Sequence, residues 1–146
     1  LAEKAIRLAH SDGNAMALAA ITLYACGKAD EAIKQTELAM RHCPRYPPWY
    51  LLMLARCRWM LGQGEEAIAV ARSAIKADPL FAQPYIVLAM VYSEAGHVSD
   101  ARKAVKNILR IDPKFSALTY LRTLPLCDPD LEDRRRSALQ IAGLLD

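Results

Sequence analysis

Apolar residues in this chain recur at helical spacing and stop at fixed intervals. In "GQGEEAIAVARSAIKADP" (62–79), alanines at 67, 71 and 74 fall three or four residues apart, between an opening glycine and a closing proline. "GKADEAIKQTELAMRHCP" (27–44) and "GHVSDARKAVKNILRIDP" (96–113) follow the same plan over the same length. Gly27, Gly62 and Gly96 recur at 35 and then 34 residues, as do Ala32, Ala67 and Ala101 and also Pro44, Pro79 and Pro113; the extra residue falls in "RYPP" (45–48). A fixed period of about 20 to 50 residues marks a solenoid, in which each unit buries its apolar face only against its neighbours.

Each period spells two helices. Leu51, Leu54, Ala55 and Arg58, and likewise Tyr85, Leu88, Ala89 and Tyr92, stand at i, i+3, i+4 and i+7, which predicts first helices over 48–61 and 82–95 and, by the repeat, over about 13–26. The three glycines then fall just past a last helical turn, where a positive φ favours the residue without a Cβ. Asp30, Glu65 and Ser99 follow as N-terminal caps or as first-turn residues favoured by the helix dipole. The second helices end before prolines that cannot continue them. Ala32, Ala67 and Ala101 let each second helix cross the first of its own unit, and Ala39 and Ala74 meet the next unit, at the short end of the usual ~8–10 Å between axes.

The predicted organisation is therefore all-α: the second helix of a truncated repeat over 1–12, repeat units over 13–47, 48–81 and 82–115, and a C-terminal cap over 116–146. "LAEKAIRLA" has second-helix spacing, and Ala5 falls 34 residues before Ala39, so the chain is expected to be a piece of a longer protein cut inside a repeat. In the tail, Ser116 to Arg122 can form a turn or two of helix. Asp128 and Pro129 open a helix to about Ala142 that Gly143 ends. Leu131, Ala138, Leu139 and Ala142 give that helix an apolar face to lay on the last repeat.

Composition narrows the function classes. At 146 residues and 53% hydrophobic the chain can bury a core, and its uncharged runs are too short for the ~20 apolar residues of a membrane span. A formal charge of +3, scattered along the chain, does not make the basic face of a nucleic-acid binder. Cys26, Cys43, Cys57 and Cys127 have no CxxC spacing and read as free thiols of a reducing, cytoplasmic compartment rather than as disulfides or a metal site. Nothing near Leu1 has the apolar core of a signal peptide. His10, His42 and His97 lack a nucleophile or carboxylate at catalytic spacing, and no phosphate-binding loop is present. Glu65 and Glu66 are first-turn charges, and Arg134 to Arg136, after the acidic "DPDLED", read as a solvated face with local ion pairs. No catalytic residue, cofactor or metal is therefore expected.

These units resemble the tetratricopeptide repeat family. The signature positions read Met16, Ala19, Ala20, Leu23, Ala32, Ala39 and Pro44 in the first unit. They read Leu51, Leu54, Ala55, Arg58, Ala67, Ala74 and Pro79 in the second, and Tyr85, Leu88, Ala89, Tyr92, Ala101, Ile108 and Pro113 in the third. Arg58 replaces a usual tyrosine and Ile108 a usual alanine. The resemblance implies a right-handed superhelix whose first helices line a concave groove that binds a peptide or protein segment. The implied groove residues are Tyr24, Trp49, Leu52, Met53, Arg56, Trp59, Met60, Ile86 and Met90, with Asn14, Ala17, Ile21, Ala25, Gln83, Ser93 and Glu94 at equivalent inward positions. Aromatics, arginine and adaptable methionines are what an anchor pocket for an apolar segment uses. Trp59 and Trp49 have a second placement open to them, packed between neighbouring units. With Arg56 alone basic, a clamp for a charged chain terminus is not expected.

The tail resembles something narrower. Phe115, Ser116, Arg122, Thr123, Leu124, Pro125, Asp128, Pro129 and Ala142 to Leu144 are similar to the ending of bacterial multidomain signalling proteins, among them class III adenylate or guanylate cyclases that carry tetratricopeptide repeats. Tyr120, Leu126 and Cys127 depart from that ending. The implied function is a non-catalytic interaction module of a cyclase-like protein, with another domain of the parent, a second copy or a separate protein as partner. The alternative is a free-standing adaptor or assembly chaperone that binds a hydrophobic segment.

Overall fold

The computed structural model describes the backbone of residues 2–146 and the side chains of Lys4 and residues 11–146. Among these, every regular element is a helix: α1 Ala2–Ala25, α2 Ala29–His42, α3 Trp49–Met60, α4 Gly64–Ala77, α5 Gln83–Glu94, α6 Val98–Ile111, α7 Ala117–Thr123 and α8 Pro129–Ala142. The pairs α1/α2, α3/α4 and α5/α6 are antiparallel hairpins, each packed on the next.

One piece of backbone chemistry makes all three hairpin turns. Gly27, Gly62 and Gly96 have φ of 77°, 74° and 78°. The Gly27 N–H donates to the Tyr24 carbonyl and the Lys28 N–H to that of Leu23, at 2.9 and 2.8 Å, and the same pair of bonds recurs at 62/63 and 96/97. This is the Schellman arrangement, which satisfies the last carbonyls of a helix and needs the left-handed residue that glycine supplies most readily. The second helices open without a side-chain cap, because Lys28, Gln63 and His97 hold the capping positions. Asp30 and Glu65 thus act as first-turn charges rather than caps, and the acidic first-turn residue of α6 is Asp100, not Ser99.

The alanines fill the role their size suggests. Ala32, Ala39, Ala67, Ala74 and Ala101 are fully buried, as is Ile108 at the position where an alanine was expected. The caps of α8 form at the expected residues, where Asp128 Oδ1 accepts from the Asp130 N–H and Gly143 closes the helix with φ 83°, and Ser116 caps α7 by accepting at Oγ from the Thr119 N–H.

Two features depart from the sequence reading. First, α1 runs without interruption from Ala2 to Ala25, so the backbone does not break between a half repeat at 1–12 and a first helix beginning at 13. "HSDGN" contains no proline, and one interior glycine costs a helix only about 1 kcal/mol. Gly13 is a close-approach residue: a Cβ there would stand 3.1 Å from Cys43 Cβ and 3.5 Å from Tyr50 Oη. The packing expected of Ala5 lies outside the described side chains. Second, α8 does not simply lie across the end of the last unit. Its main contact is α5, with a smaller one on α6, and it reaches back to α3.

Candidate interaction groove

The inner wall is built from α1, α3 and α5. Polar side chains are scarce on the last two, "WYLLMLARCRWM" and "QPYIVLAMVYSE", and both helices are buried around most of their circumference. A helix that is apolar all round is covered all round. What covers these is the chain's own C-terminal segment. Tyr120, Leu121, Leu126, Ala138, Leu139 and Ala142 join Leu52, Met53, Trp59, Met60, Ile86 and Met90 in one continuous core.

An arginine anchors this segment. Arg134 Nε and Nη2 donate to the two carboxylate oxygens of Glu94 at 2.9 and 2.7 Å. Nη2 and Nη1 also donate to the carbonyls of Trp59 and Met60, at 2.9 and 3.1 Å. The guanidinium carbon sits 4.4 Å from the centre of the Trp59 ring, and the Trp59 Nε1–H donates to Glu94 Oε1 at 2.8 Å. Three attractions coincide: a bidentate ion pair, the negative end of the α3 dipole, and the face of an aromatic ring.

One residue on, Arg135 is wholly buried. Its Nη2 donates to Glu132 Oε2 at 2.6 Å, whereas its Nε and Nη1 have no partner. Across the groove Arg56, also buried, donates through Nη2 to Gln83 Oε1 at 2.6 Å, and its Nε is unpartnered. Both guanidiniums face the ring of Tyr120, at 5.7 and 5.8 Å from its centre. Tyr24 lies in the same field: burial first, then Tyr120, hold its hydroxyl well above the usual tyrosine range, with Arg56 and Arg135 opposing. At the far end of the linker between α7 and α8, the Cys127 N–H donates to the Ala25 carbonyl at 2.9 Å, and Leu131 lies beside Gly27.

The residues expected to form an open groove are thus brought together and closed over. Tyr24, Leu52, Met53, Arg56, Trp59, Met60, Ile86 and Met90 are all buried. Trp59 is packed, at 1% exposure, against Glu94 of α5 and Arg134 of α8. Trp49 is half-buried at the other end of the wall, its ring edge-on to Tyr50 at 4.5 Å, while the Tyr50 hydroxyl donates to Asn14. The reading of Arg134 to Arg136 as one solvated face is corrected. Only Arg136 remains largely in solvent, 3.5 Å from Glu132, because the turn of α8 aims the other two inward. The signal that could have revealed this was the absence of a polar face on α3 and α5.

No group of three His, Cys, Asp or Glu side chains that could hold a metal ion occurs among the described residues, and no described helix is long and apolar enough to cross a membrane. Burial pushes the Cys57 thiol up to about 12, opposed by Arg56 and Arg58, so this cysteine is kept protonated rather than activated.

The architecture of stacked helical hairpins around an inner groove defines an α-solenoid. Residues 58–124 match the tetratricopeptide repeat family. Among solved structures the chain is similar to a thermophilic TPR protein from Thermus thermophilus: identity is 23%, the TM-score is 0.65, and the match covers 90% of this chain and 74% of that one. At that identity the likeness shows the fold. No curated protein matches the chain.

Proposed function

We propose that the chain is a non-catalytic protein-interaction scaffold whose groove receives a helical segment, and that it serves as the interaction module of a bacterial adenylate or guanylate cyclase-like signalling protein. The observation that supports the first part is α8 itself: an amphipathic helix already seated on the inner wall through Arg134. A surface that accepts one helix in this manner can accept another when α8 leaves, so the groove is self-occupied and a partner competes with the tail. The cyclase parent rests on the Phe115 to Leu144 pattern, and its tail is the part of the chain that closes the groove.

A labelled peptide of residues 128–146 tests the scaffold. It should bind the Arg134→Glu chain, whose own helix is disengaged by charge repulsion from Glu94, at least tenfold more tightly than the wild type. Equal or absent binding to both would sink the helix-receptor reading. The residues encoded upstream of Leu1 in the complete gene product decide the parent: a cyclase domain there supports it, and any other arrangement removes it.

A further inference from the structure

The cluster of Arg56 and Arg135 about the Tyr120 ring carries two deficits. The first is charge: two buried guanidiniums share one carboxylate, since Glu132 pairs with Arg135 and no ion pair reaches Arg56 among the described residues. The second is hydrogen bonding. Arg56 Nε, Arg135 Nε, Arg135 Nη1 and the hydroxyls of Tyr24 and Tyr120 are all buried without a partner. Arginine only donates, so these groups together require an acceptor. Unpartnered buried donors and an uncompensated buried charge are both costly, and in native proteins each demands an explanation. A third arginine, Arg134, a single residue away, is partnered at all three of its nitrogens, so the deficit belongs to Arg56 and Arg135.

We propose that Arg56 and Arg135, with the hydroxyls of Tyr24 and Tyr120, form a binding site for a small oxyanion, either a short carboxylate or inorganic phosphate. One such species supplies both missing quantities: a negative charge for the surplus cation, and several acceptor lone pairs for the donors. The Tyr24 hydroxyl is held protonated by its burial and so donates. A cavity adjoins the cluster. About 510 Å³ in volume, it opens between the two loops before and after α5/α6 and the start of α7, and Gln83 and Tyr120 line its wall. Gln83 is also the partner of Arg56 and Tyr120 the ring that both guanidiniums face, so these two side chains belong to the cavity wall and to the cluster alike. The cavity wall carries one charge of each sign, Lys114 and Asp112, so the selectivity for an anion rests on the two guanidiniums.

Because Arg56 belongs to α3 and Arg135 to α8, the bound ion bridges the wall and the helix that covers it. Anything that binds the closed arrangement and not the open one shifts the balance toward closure by mass action. The site therefore links the concentration of a small anion to access to the groove. This consequence rests on the proposal that a partner competes for the groove, whereas the site itself needs only the seated α8.

Titration calorimetry of the full chain with sodium acetate, and separately with sodium phosphate, at constant ionic strength tests the site. Saturable one-to-one binding of either is expected, and the arm that responds names the source. Arg56→Gln should abolish it. Tyr120→Phe, which keeps the ring and removes one hydroxyl, should weaken it about 2- to 10-fold, the range for one hydrogen bond. Absence of saturable binding in both arms, with an unfolding temperature that tracks ionic strength alone, would overturn the proposal. So would binding that persists unchanged in both folded variants, since the ion would then sit elsewhere.

Discussion

Arg134 and Trp59 stack on one another while holding the same carboxylate: the guanidinium lies 4.4 Å from the indole centre, and both groups donate to Glu94 Oε1. The two residues are far apart in sequence, and their meeting is what seats α8 on the inner wall. Replacing Arg134 with alanine removes the ion pair, two bonds to α3 carbonyls and the cation over the ring. With both charged side chains about a third exposed, solvent screening limits the expected loss to roughly 1–2 kcal/mol. Trp59 emission should shift to the red as its cover loosens, while Trp49, held by Tyr50, contributes no change. A denaturation series on Arg134→Ala, Glu94→Ala and the double variant checks this, and additive losses would show that the two do not interact.

Arg135 should behave in the opposite way to its neighbour. A buried guanidinium with two unsatisfied nitrogens contributes little net stability, and an apolar side chain of similar length relieves the burial of charge. Arg135→Met is therefore expected to match or exceed the wild type in urea denaturation. Glu132→Gln, which strips the buried cation of its carboxylate, should lose about 2 kcal/mol, discounted for the partial exposure of Glu132. If the methionine variant proved the weaker of the two, the account of this pair would be wrong.

The turns and the helix crossings can be separated by substitution. At Gly62 a Cβ would meet nothing within 4 Å, so the cost of Gly62→Ala is conformational alone, roughly 1–2 kcal/mol for a left-handed residue. Asparagine, which tolerates that region, should lose less. At the fully buried Ala67 the constraint is volume, and Ala67→Leu should cost about 1–3 kcal/mol by forcing α3 and α4 apart. Midpoints of chemical unfolding rank the three. Gly62→Asn falling below Gly62→Ala would contradict the backbone argument.

The buried thiol of Cys57 makes stability fall in alkali. Its folded value is pushed up to about 12 from the ordinary 9.0, so between those limits the unfolded chain binds fewer protons than the folded one. The contribution is complete below pH 9 and is lost as pH rises toward 12, with a slope approaching about 1.4 kcal/mol per pH unit. Cys57→Ala should flatten that part of the curve in a thermal series. In the native chain near neutral pH, iodoacetamide should label the exposed Cys26 and Cys127 and spare Cys57; early labelling of Cys57 would show that the site opens.

What the sequence made legible is mostly local chemistry. Glycine at positive φ, proline after a helix, aspartate ahead of one, and alanine at a crossing each act within a few residues, so Gly27, Pro44, Asp128 and Ala67 could be placed from the sequence, whereas Ser99, read as a cap, lies inside α6. The uninterrupted α1 was less accessible, because Gly13 is governed by the approach of Cys43 and Tyr50 from other elements. The occupant of the groove was least accessible. Whether Arg134 faces water or Glu94 depends on where the chain returns after Pro125, and no periodicity within α8 encodes that. The hint lay elsewhere, in the scarcity of polar residues on α3 and α5, whose need for cover the sequence records without saying what supplies it.

The hydrogen bond from the Cys127 amide to the Ala25 carbonyl changes the arithmetic of unfolding. A linear stack of repeats behaves as a one-dimensional array, where each unit answers only to its neighbours and the ends fray independently. Here the tail is fastened to the first hairpin as well as to the third, so the array is closed into a circuit. Loss of the tail then weakens both ends at once, and hydrogen exchange across all three hairpins should report a single cooperative unit.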